Sequence, residues 1–337
     1  MNSAMKRLVL TSGDSSAGAL KGARLADCVL PLEPRFVWGP LPSPGELERW
    51  LAPRPAADEA RGSHWLDHLR GKPIEEAQRK GSGFVEFCAA FDAIELWIDP
   101  EPNAQLILIW LLDYFRPHQS VASKLNLVQA DFPIGNQPSE EVAARRIPAI
   151  KIRNGHLEIA SLAWQAYRAP TPRAWCDFLA MDLSALPRLR QAVVLLLEEL
   201  PMPGSGLGAT EMRMLELISE GNARPPDILP GHGKRNKRRV FDYWETGSLL
   251  DGLARCPAPV VSGLDEGPFT LEIHDDRDRH ARYQQSRLSL TELGRAVLAG
   301  REDFSRHNPI SRWWGGTKLT NDNLWRRDPV NHALIAP

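Results

Sequence analysis

Paired cysteines are what this sequence most plainly lacks. Its four, Cys28, Cys88, Cys176 and Cys256, are widely scattered and form no C-x-x-C pair. That excludes a zinc ribbon and a thioredoxin-type redox motif. Single scattered thiols fit a reducing compartment. An excess of one charge is missing as well: 41 Lys and Arg stand against 42 Asp and Glu, a net of -1. The molecule as a whole is therefore no polyanion binder, and any nucleic-acid role needs a local basic patch. Long apolar runs are absent too. The longest, 104–112 and 192–197, are too short to span a bilayer. The start, "MNSAMKRLVL", is basic but has no apolar run of signal-peptide length before Gly13. The expectation is a cytoplasmic protein with no membrane association.

What is present is the profile of a soluble globular chain: 337 residues, 43% hydrophobic and 25% charged, long enough for two or three domains. Residues 6–10 read as a buried strand that runs into "SGDSSAG", and a helix follows around 17–25. "CVLPL" (28–32) reads as a second short strand. Prolines 40, 42, 44, 53 and 55 punctuate a loop around a helix at 45–51. Polar helices are expected over 61–70 and 74–80. "AIELWID" (93–99), "AQLILIWLLDYF" (104–115) and "SKLNLVQAD" (123–131) give strand, buried helix and strand, a βαβ unit with parallel pairing. Helices then dominate: "SEEVAARRI" with Ser139 as N-cap, 156–169, a segment opened by Thr171-Pro172, and 186–201.

The last third opens with "GATEMRMLELISEG", with Thr210 as N-cap and Gly221 closing it. A helix over 241–256 follows. "PVVSG", "FTLEIHD" and "ARYQQSRLSLT" read as three strand-like runs, with "HDDRDRH" (274–280) as a solvated hairpin tip. "TELGRAVLAG" (291–300) is a final helix. The expected architecture is a Rossmann-like α/β domain over 1–138, a helical linker domain over 139–203, and a winged-helix-like α+β domain with a Trp/Arg-rich tail over 204–337. Element order suggests this fold but gives no function.

"LVLTSGDSSAGALK", "IELWIDPEPNAQLILIWLLD", "AWQAYRAPTP", "LGATEMRMLELISEG", "LTELGRAVLAGREDF" and "ISRWWGGTKLTNDNLWRRD" follow one another along most of the chain. In that order they resemble an uncharacterised bacterial family, domain of unknown function 1835. The resemblance implies an architecture and no mechanism. It also implies an acidic-His-acidic turn after the second clear strand, with Gln four residues on. This sequence has Asp99, Pro100, Glu101 and Gln105, so Pro100 stands in the histidine's place.

Gly13-Asp14-Ser15 matches the start of the lipase-like Gly-Asp-Ser hydrolases, in which Ser15 would be the nucleophile. That chemistry needs a base and an orienting acid. None of the nine histidines has Asp three residues before it, and the Gly-x-Asn-Asp oxyanion block is missing. A ligand-holding turn requires less. Backbone N–H groups at a helix start favour anions, and ligands of open α/β sheets sit outside the carboxyl ends of the strands. The expected ligand-binding set for a small anionic molecule is Gly13, Asp14, Ser15, Ser16 and Gln105. The catalytic candidates are Asp14, Ser15, Asp99 and Glu101, serving a metal-assisted nucleotide or phosphoester hydrolase at the same rim. The plainer alternative is that Asp14 and Ser15 cap a helix and Asp99 closes a turn.

His64 and His68 stand four apart, which is metal-ligand spacing on a helix. Without a third ligand nearby they read as a polar face, and the sequence assigns no metal ligands and no cofactor. Lys234, Arg235, Lys237, Arg238 and Arg239 make a basic run which, with Arg312, could meet DNA or RNA phosphates. Yet 223–337 holds 18 basic and 15 acidic residues, a net of only +3, so a protein partner or a packing role competes. Trp313, Trp314 and Trp325 with Arg312, Arg326 and Arg327 could stack bases. The preferred expectation is that they bury area and pin the tail, with Arg312 or Arg327–Asp328 forming ion pairs around a Gly315-Gly316 turn.

Overall fold

A computed structural model describes residues 5–54, 64–68, 71–230 and 235–337. The chain divides into two compact units. The first comprises 1–36, 41–168 and 178–192; the second comprises 37–40, 169–177 and 193–337.

The first unit is built on β1 (Arg7–Ser12), α1 (Asp14–Gly22), β2 (Cys28–Leu32), α2 (Pro44–Leu51), a 3-10 turn (Trp65–His68), α3 (Lys72–Lys80) and α4 (Phe84–Ala89). It continues with β3 (Ala93–Ile98), α5 (Pro102–Phe115), α6 (Gln119–Ala122), β4 (Leu125–Gln129) and a 3-10 turn (Ile134–Asn136). α7 (Ser139–Ala144), β5 (Ile150–Lys151) and α8 (Asn154–Tyr167) complete the main run. The five strands form one sheet in the order β2-β1-β3-β4-β5. β1 to β4 run parallel, and β5 adds an antiparallel edge. This is an open, mixed α/β sheet whose order reverses at the β1–β3 junction.

The period of two along each strand decides the faces. Val9, Val29, Trp97 and Val128 join Ala17 and Leu20 of α1, Ile134, and Val142 of α7 in one core cluster. Leu8, Leu10, Leu96 and Leu127 alternate with them and are at most 1% exposed. α5 lies against β1, β3 and α8. It starts with Pro102 at its first position, which suits an N–H that would go unbonded anyway. All its residues from Pro102 to Leu112 are buried, each large aliphatic contributing roughly 1.5–3 kcal/mol. α2 begins with the Ser43–Glu46 capping box. In the 61–70 segment, 61–63 and 69–70 lie outside the described residues, and 65–68 form the 3-10 turn.

The second unit holds α9 (Arg173–Asp177), the end of α10 (Leu189–Leu197), α11 (Ala209–Ser219), α12 (Pro225–Ile228), α13 (Tyr243–Ala254) and β6 (Val261–Ser262). Then come α14 (Leu271–Asp275), α15 (Arg277–Gln285), β7 (Ser289–Leu290), α16 (Glu292–Leu298) and α17 (Phe304–His307). β8 (Ser311–Trp314), β9 (Thr317–Thr320), β10 (Arg326–Arg327) and β11 (Leu334–Ile335) close the unit.

Two sequence expectations are corrected here. "FTLEIHD" is helical over 271–275 and "ARYQQSRLSLT" over 281–285, its strand being confined to Ser289–Leu290, and "HDDRDRH" is the junction of α14 and α15, not a hairpin tip. Asp276 makes that junction by accepting from the N–H groups of Asp278 and Arg279. Thr210 is not a cap either: Gly208 precedes α11, and Glu211 accepts from its N–H. The Gly315-Gly316 turn does join β8 to β9, where Trp314 pairs with Thr317.

Candidate functional site

The carboxyl end of β1 delivers Gly13 in a left-handed conformation, φ 72°, which glycine adopts without steric cost. Gly13 donates its N–H to the Leu32 carbonyl at 3.1 Å, binding the ends of β1 and β2 together. Asp14 then opens α1 and is exposed, and Ser15 is exposed beside it. Ser16 is 6% exposed. The 3-10 turn at Ile134–Asn136 lies hard against this start: a Cβ on Gly135 would stand 2.7 Å from Ser15 Cβ.

Asp14, Glu33 and His68 come together at these strand ends. Each brings one ligand atom within 4.8 Å of the other two. They come from the turn after β1, the turn after β2 and the 3-10 turn, so chain topology alone unites them. Donors around one ion at roughly 2.0–2.4 Å stand about 3 to 5 Å apart, and this group has that spread. The Asp14 backbone N–H donates to the Glu33 carboxyl. Glu33 Oε1 is buried with no hydrogen-bond partner among the described residues.

Glu33 titrates above the ordinary carboxylate range. Burial is the first cause and the negative charge of Asp14 the second, opposed by Arg35 and by the Asp14 N–H. A carboxyl raised in the folded state contributes stability below its unfolded pKa and loses it as pH climbs through the folded value. Glu33→Gln is therefore expected to melt above the parent, in chelator, once pH exceeds the ordinary carboxylate range, with the gap closing near pH 4. The gain should stay under about 1 kcal/mol, because solvent screens a part-exposed group. Thermal scans across pH 4–8 measure it, and a gap that widens towards acid contradicts it.

Asp99 and Glu101 follow β3, the neighbour of β1, but the ligating group contains neither. Asp99 is 3% exposed, and its two oxygens accept from the N–H of Glu101 (3.0 Å) and of Ile134 (3.4 Å). That carboxylate fastens the end of β3 to the Ile134–Asn136 turn. Gln105, fully buried, donates to the Asp99 carbonyl at 2.6 Å. Gln105 Oε1 and Gln129 Nε2 are buried without partners among the described residues. With Glu33 Oε1, these orphan atoms stand at the carboxyl ends of β2, β3 and β4. Ser15 makes no hydrogen bond to a histidine among the described residues, so no nucleophile–base pair forms there.

His64 and His68 do not act as a pair. His64 is 3% exposed; its Nε2 meets the Ala52 carbonyl at 2.8 Å and its Nδ1 accepts from the Leu66 N–H. His64 is a structural staple, and His68 alone reaches the carboxylates. Sequence reasoning missed Glu33. The signal available was an acid placed directly after a buried strand, "CVLPLE", at the end where such sheets bind ligands.

The six basic candidates in the second unit have different surroundings. Lys234 lies outside the described residues. Arg235 and Lys237 are exposed, and Arg239 is half-buried. Arg238 bonds Glu198 at 2.9 Å and Glu199 at 2.6 Å. Arg312 pairs with Glu211 at 2.7 Å. Trp314 Nε1 donates to the Leu196 carbonyl at 2.7 Å, and Trp314 and Trp325 are buried. Of the expected ion pairs, Arg312 forms one, whereas Asp328 turns to Val330 and Asn331 instead of Arg327.

The four cysteines are free. Burial pushes the Cys28 thiol up to about 11, so it stays protonated and inert at neutral pH. No helix among the described residues is long and apolar enough to cross a membrane. Neither a protein-family model nor a curated protein matches the chain.

Proposed function

We propose that this chain is a cytoplasmic binding protein whose first unit, a Rossmann-like domain, holds a small phosphate-bearing molecule through a divalent cation on Asp14, Glu33 and His68. The convergence of those three donors carries the reading. A bare anion would meet the charges of Asp14 and Glu33 and be repelled. With a first-row divalent ion in place, the same carboxylates become an anion receptor. The mixed oxygen and imidazole donors suit zinc or manganese better than magnesium. The N-terminus of α1 adds a favourable dipole, and the carboxyl end of β1, which borders the order reversal between β1 and β3, is the end at which open sheets hold ligands. A second reading, metal-assisted hydrolysis of a nucleotide or other phosphoester, is favoured by the donor count. Three protein ligands leave a position for water, the pattern of catalytic sites.

Calorimetric titration with Mn²⁺ and Zn²⁺ tests both. One site per chain is expected, weakened at least about 10- to 100-fold in Asp14→Asn, Glu33→Gln and His68→Gln. Pyrophosphate or ADP should raise the melting temperature only when the metal is present. A parent protein that takes up neither ion sinks the proposal. Slow release of phosphate from ADP, lost in the same variants, selects the second reading.

The second unit supports a winged-helix-like reading through the order α11, α12, α13, β6, β7, α16, with the β6–β7 pair as the wing. Helices α14 and α15 occupy the stretch between those strands. α13 holds the place of a reading helix, yet Gly252 is its single exposed residue. Base readout needs side chains that reach the groove. The proposed role is therefore protein contact or packing, and any association with DNA or RNA would run through Arg235 and Lys237 on phosphates.

A further inference from the structure

The second unit buries a cation that has no counter-charge among the described residues. Arg327, in β10, is 3% exposed. Its Nε and Nη1 are buried with no hydrogen-bond partner among the described residues. Nη2 meets His332 Nδ1 at 3.4 Å, a long contact to a ring that brings no negative charge. No ion pair among the described residues includes Arg327. A lysine so placed could shed its proton, but a guanidinium cannot. Buried charges in proteins are otherwise paired, so this one lacks a component.

The surroundings say what is missing. Trp325 precedes Arg327 by two residues, and both are buried while Arg326 between them is half-buried, the alternation of side chains that share a side. The Trp325 Nε1 is likewise buried with no acceptor. α9 lies opposite. The Arg173 guanidinium sits 5.6 Å from the Trp325 ring centre. Cys176, on the same face of α9 one turn later, lies within the field of Arg327. That charge draws its thiol down, although burial, the larger influence, pushes it up. Arg173 itself is exposed. A face of α9 and the 325–327 stretch thus flank a spot lined by N–H donors that have no partner among the described residues, with the Arg173 cation at its edge; the nearest carboxylate named there, Asp177 of α9, is exposed and acts on Cys176 more weakly than Arg327 does.

We propose that this is a binding site for a small oxyanion, with Arg327 and the Trp325 indole as the inner donors and Arg173 at the mouth. An oxyanion supplies acceptors and charge together, and its bonds to a guanidinium are among the strong ones. The exposed His332, in left-handed backbone with φ 54°, is the group an entering anion would push aside. Nothing in this site depends on the metal reading of the first unit.

The test is phosphorus NMR of inorganic phosphate with the full chain, in chelator, at constant ionic strength. The expected result is a saturable broadening of the phosphate line that is lost in Arg327→Met, which keeps an apolar stem. Trp325→Phe and Arg173→Ala should weaken it several-fold. Thermal scans in phosphate against chloride should show a rise for the parent that Arg327→Met lacks. Acetate competing as well as phosphate would identify a carboxylate site, and acetate failing to compete a phosphate site. Equal broadening, or equal stabilisation, in parent and Arg327→Met overturns the proposal, because phosphate also stabilises proteins by general exclusion. Should Arg327→Met not fold, Trp325→Phe binding phosphate as tightly as the parent overturns it equally.

Discussion

Arg238→Met is expected to destabilise the second unit by about 3–5 kcal/mol, the usual cost of stranding one member of a buried ion pair. Arg238 is the hub of a closed network. Its Nη1 reaches Glu198 at 2.9 Å, its Nη2 reaches Glu199 at 2.6 Å, and its Nε reaches Thr210 Oγ1 at 3.4 Å. Glu199 is 6% exposed, and among the described residues it accepts, besides Arg238, from the Thr210 hydroxyl and N–H. Burial already pushes the Glu199 carboxyl up, against the pull of Arg238 and of the Thr210 bonds. Removing the guanidinium takes away the strongest opposing influence. A raised carboxyl loses stability as pH climbs, so the deficit of Arg238→Met should be smallest near pH 4–5 and grow towards neutrality.

A loss of about 10 °C in melting temperature is expected at pH 7.5, taking roughly 2–4 °C per kcal/mol for a unit of this size. Glu199→Gln in the same chain should restore part of it, and the cycle of single and double variants measures the coupling. Neutralising Arg235 and Lys237 should leave the melting temperature unchanged while abolishing any salt-sensitive DNA binding at low salt. If Arg238→Met melts with the parent and Arg235, Lys237 variants do not, the basic run has been assigned the wrong way round.

Gly263→Ala is the second large effect. Gly263 follows β6 with φ +85°, and a Cβ there would stand 1.9 Å from the Arg287 carbonyl oxygen. Two penalties act together. An L-residue in left-handed backbone costs roughly 1–2 kcal/mol, and forcing an atom into packed backbone typically costs about 1–3 kcal/mol. The Arg287 carbonyl belongs to the chain entering β7, so the strand pair must part or the turn must refold. An expected loss of about 2–5 kcal/mol follows, read as a lowered denaturation midpoint. Gly252→Ala supplies the control. Gly252 sits in α13 with nothing within 4 Å of its would-be Cβ, and alanine there should gain up to about 1 kcal/mol of helix propensity. Two alanines in one unit should therefore move stability in opposite directions. Equal effects would show that the β6–β7 approach tolerates a side chain.

The parts of this molecule that were legible in the sequence are those where local chemistry and burial agree. Leu8-Val9-Leu10, "AIELWI" and "LNLVQ" are β-prone runs bounded by turn residues, and they are parallel strands of the mixed sheet. "AQLILIWLLDYF" is apolar all round, and α5 is buried nearly all round for that reason. The final helix expected over 291–300 is α16, which Thr291 caps by accepting from the Gly294 N–H. The 271–285 segment departs from its strand-like expectation because few of its residues are apolar. Ile273 and Tyr283 are its buried side chains, too sparse to display either period.

What the sequence determined by itself was where chain direction changes and which strand end carries polar side chains: Gly13-Asp14 after β1, and Asp99 to Gln105 after β3. Short-range sterics and hydrogen bonding decide such things, and they act between residues adjacent in the chain. Which of those side chains share a site was decided only by the tertiary structure. Asp14 meets Glu33 because β2 pairs beside β1, and meets His68 because the 3-10 turn folds back to the same rim. Asp99 is taken up by backbone N–H groups instead. Likewise Arg238 became a structural hub and Arg327 a cation in want of an anion, although both are arginines in basic runs. Burial sets that difference, since it fixes whether a charge is answered by water, by a carboxylate or by neither.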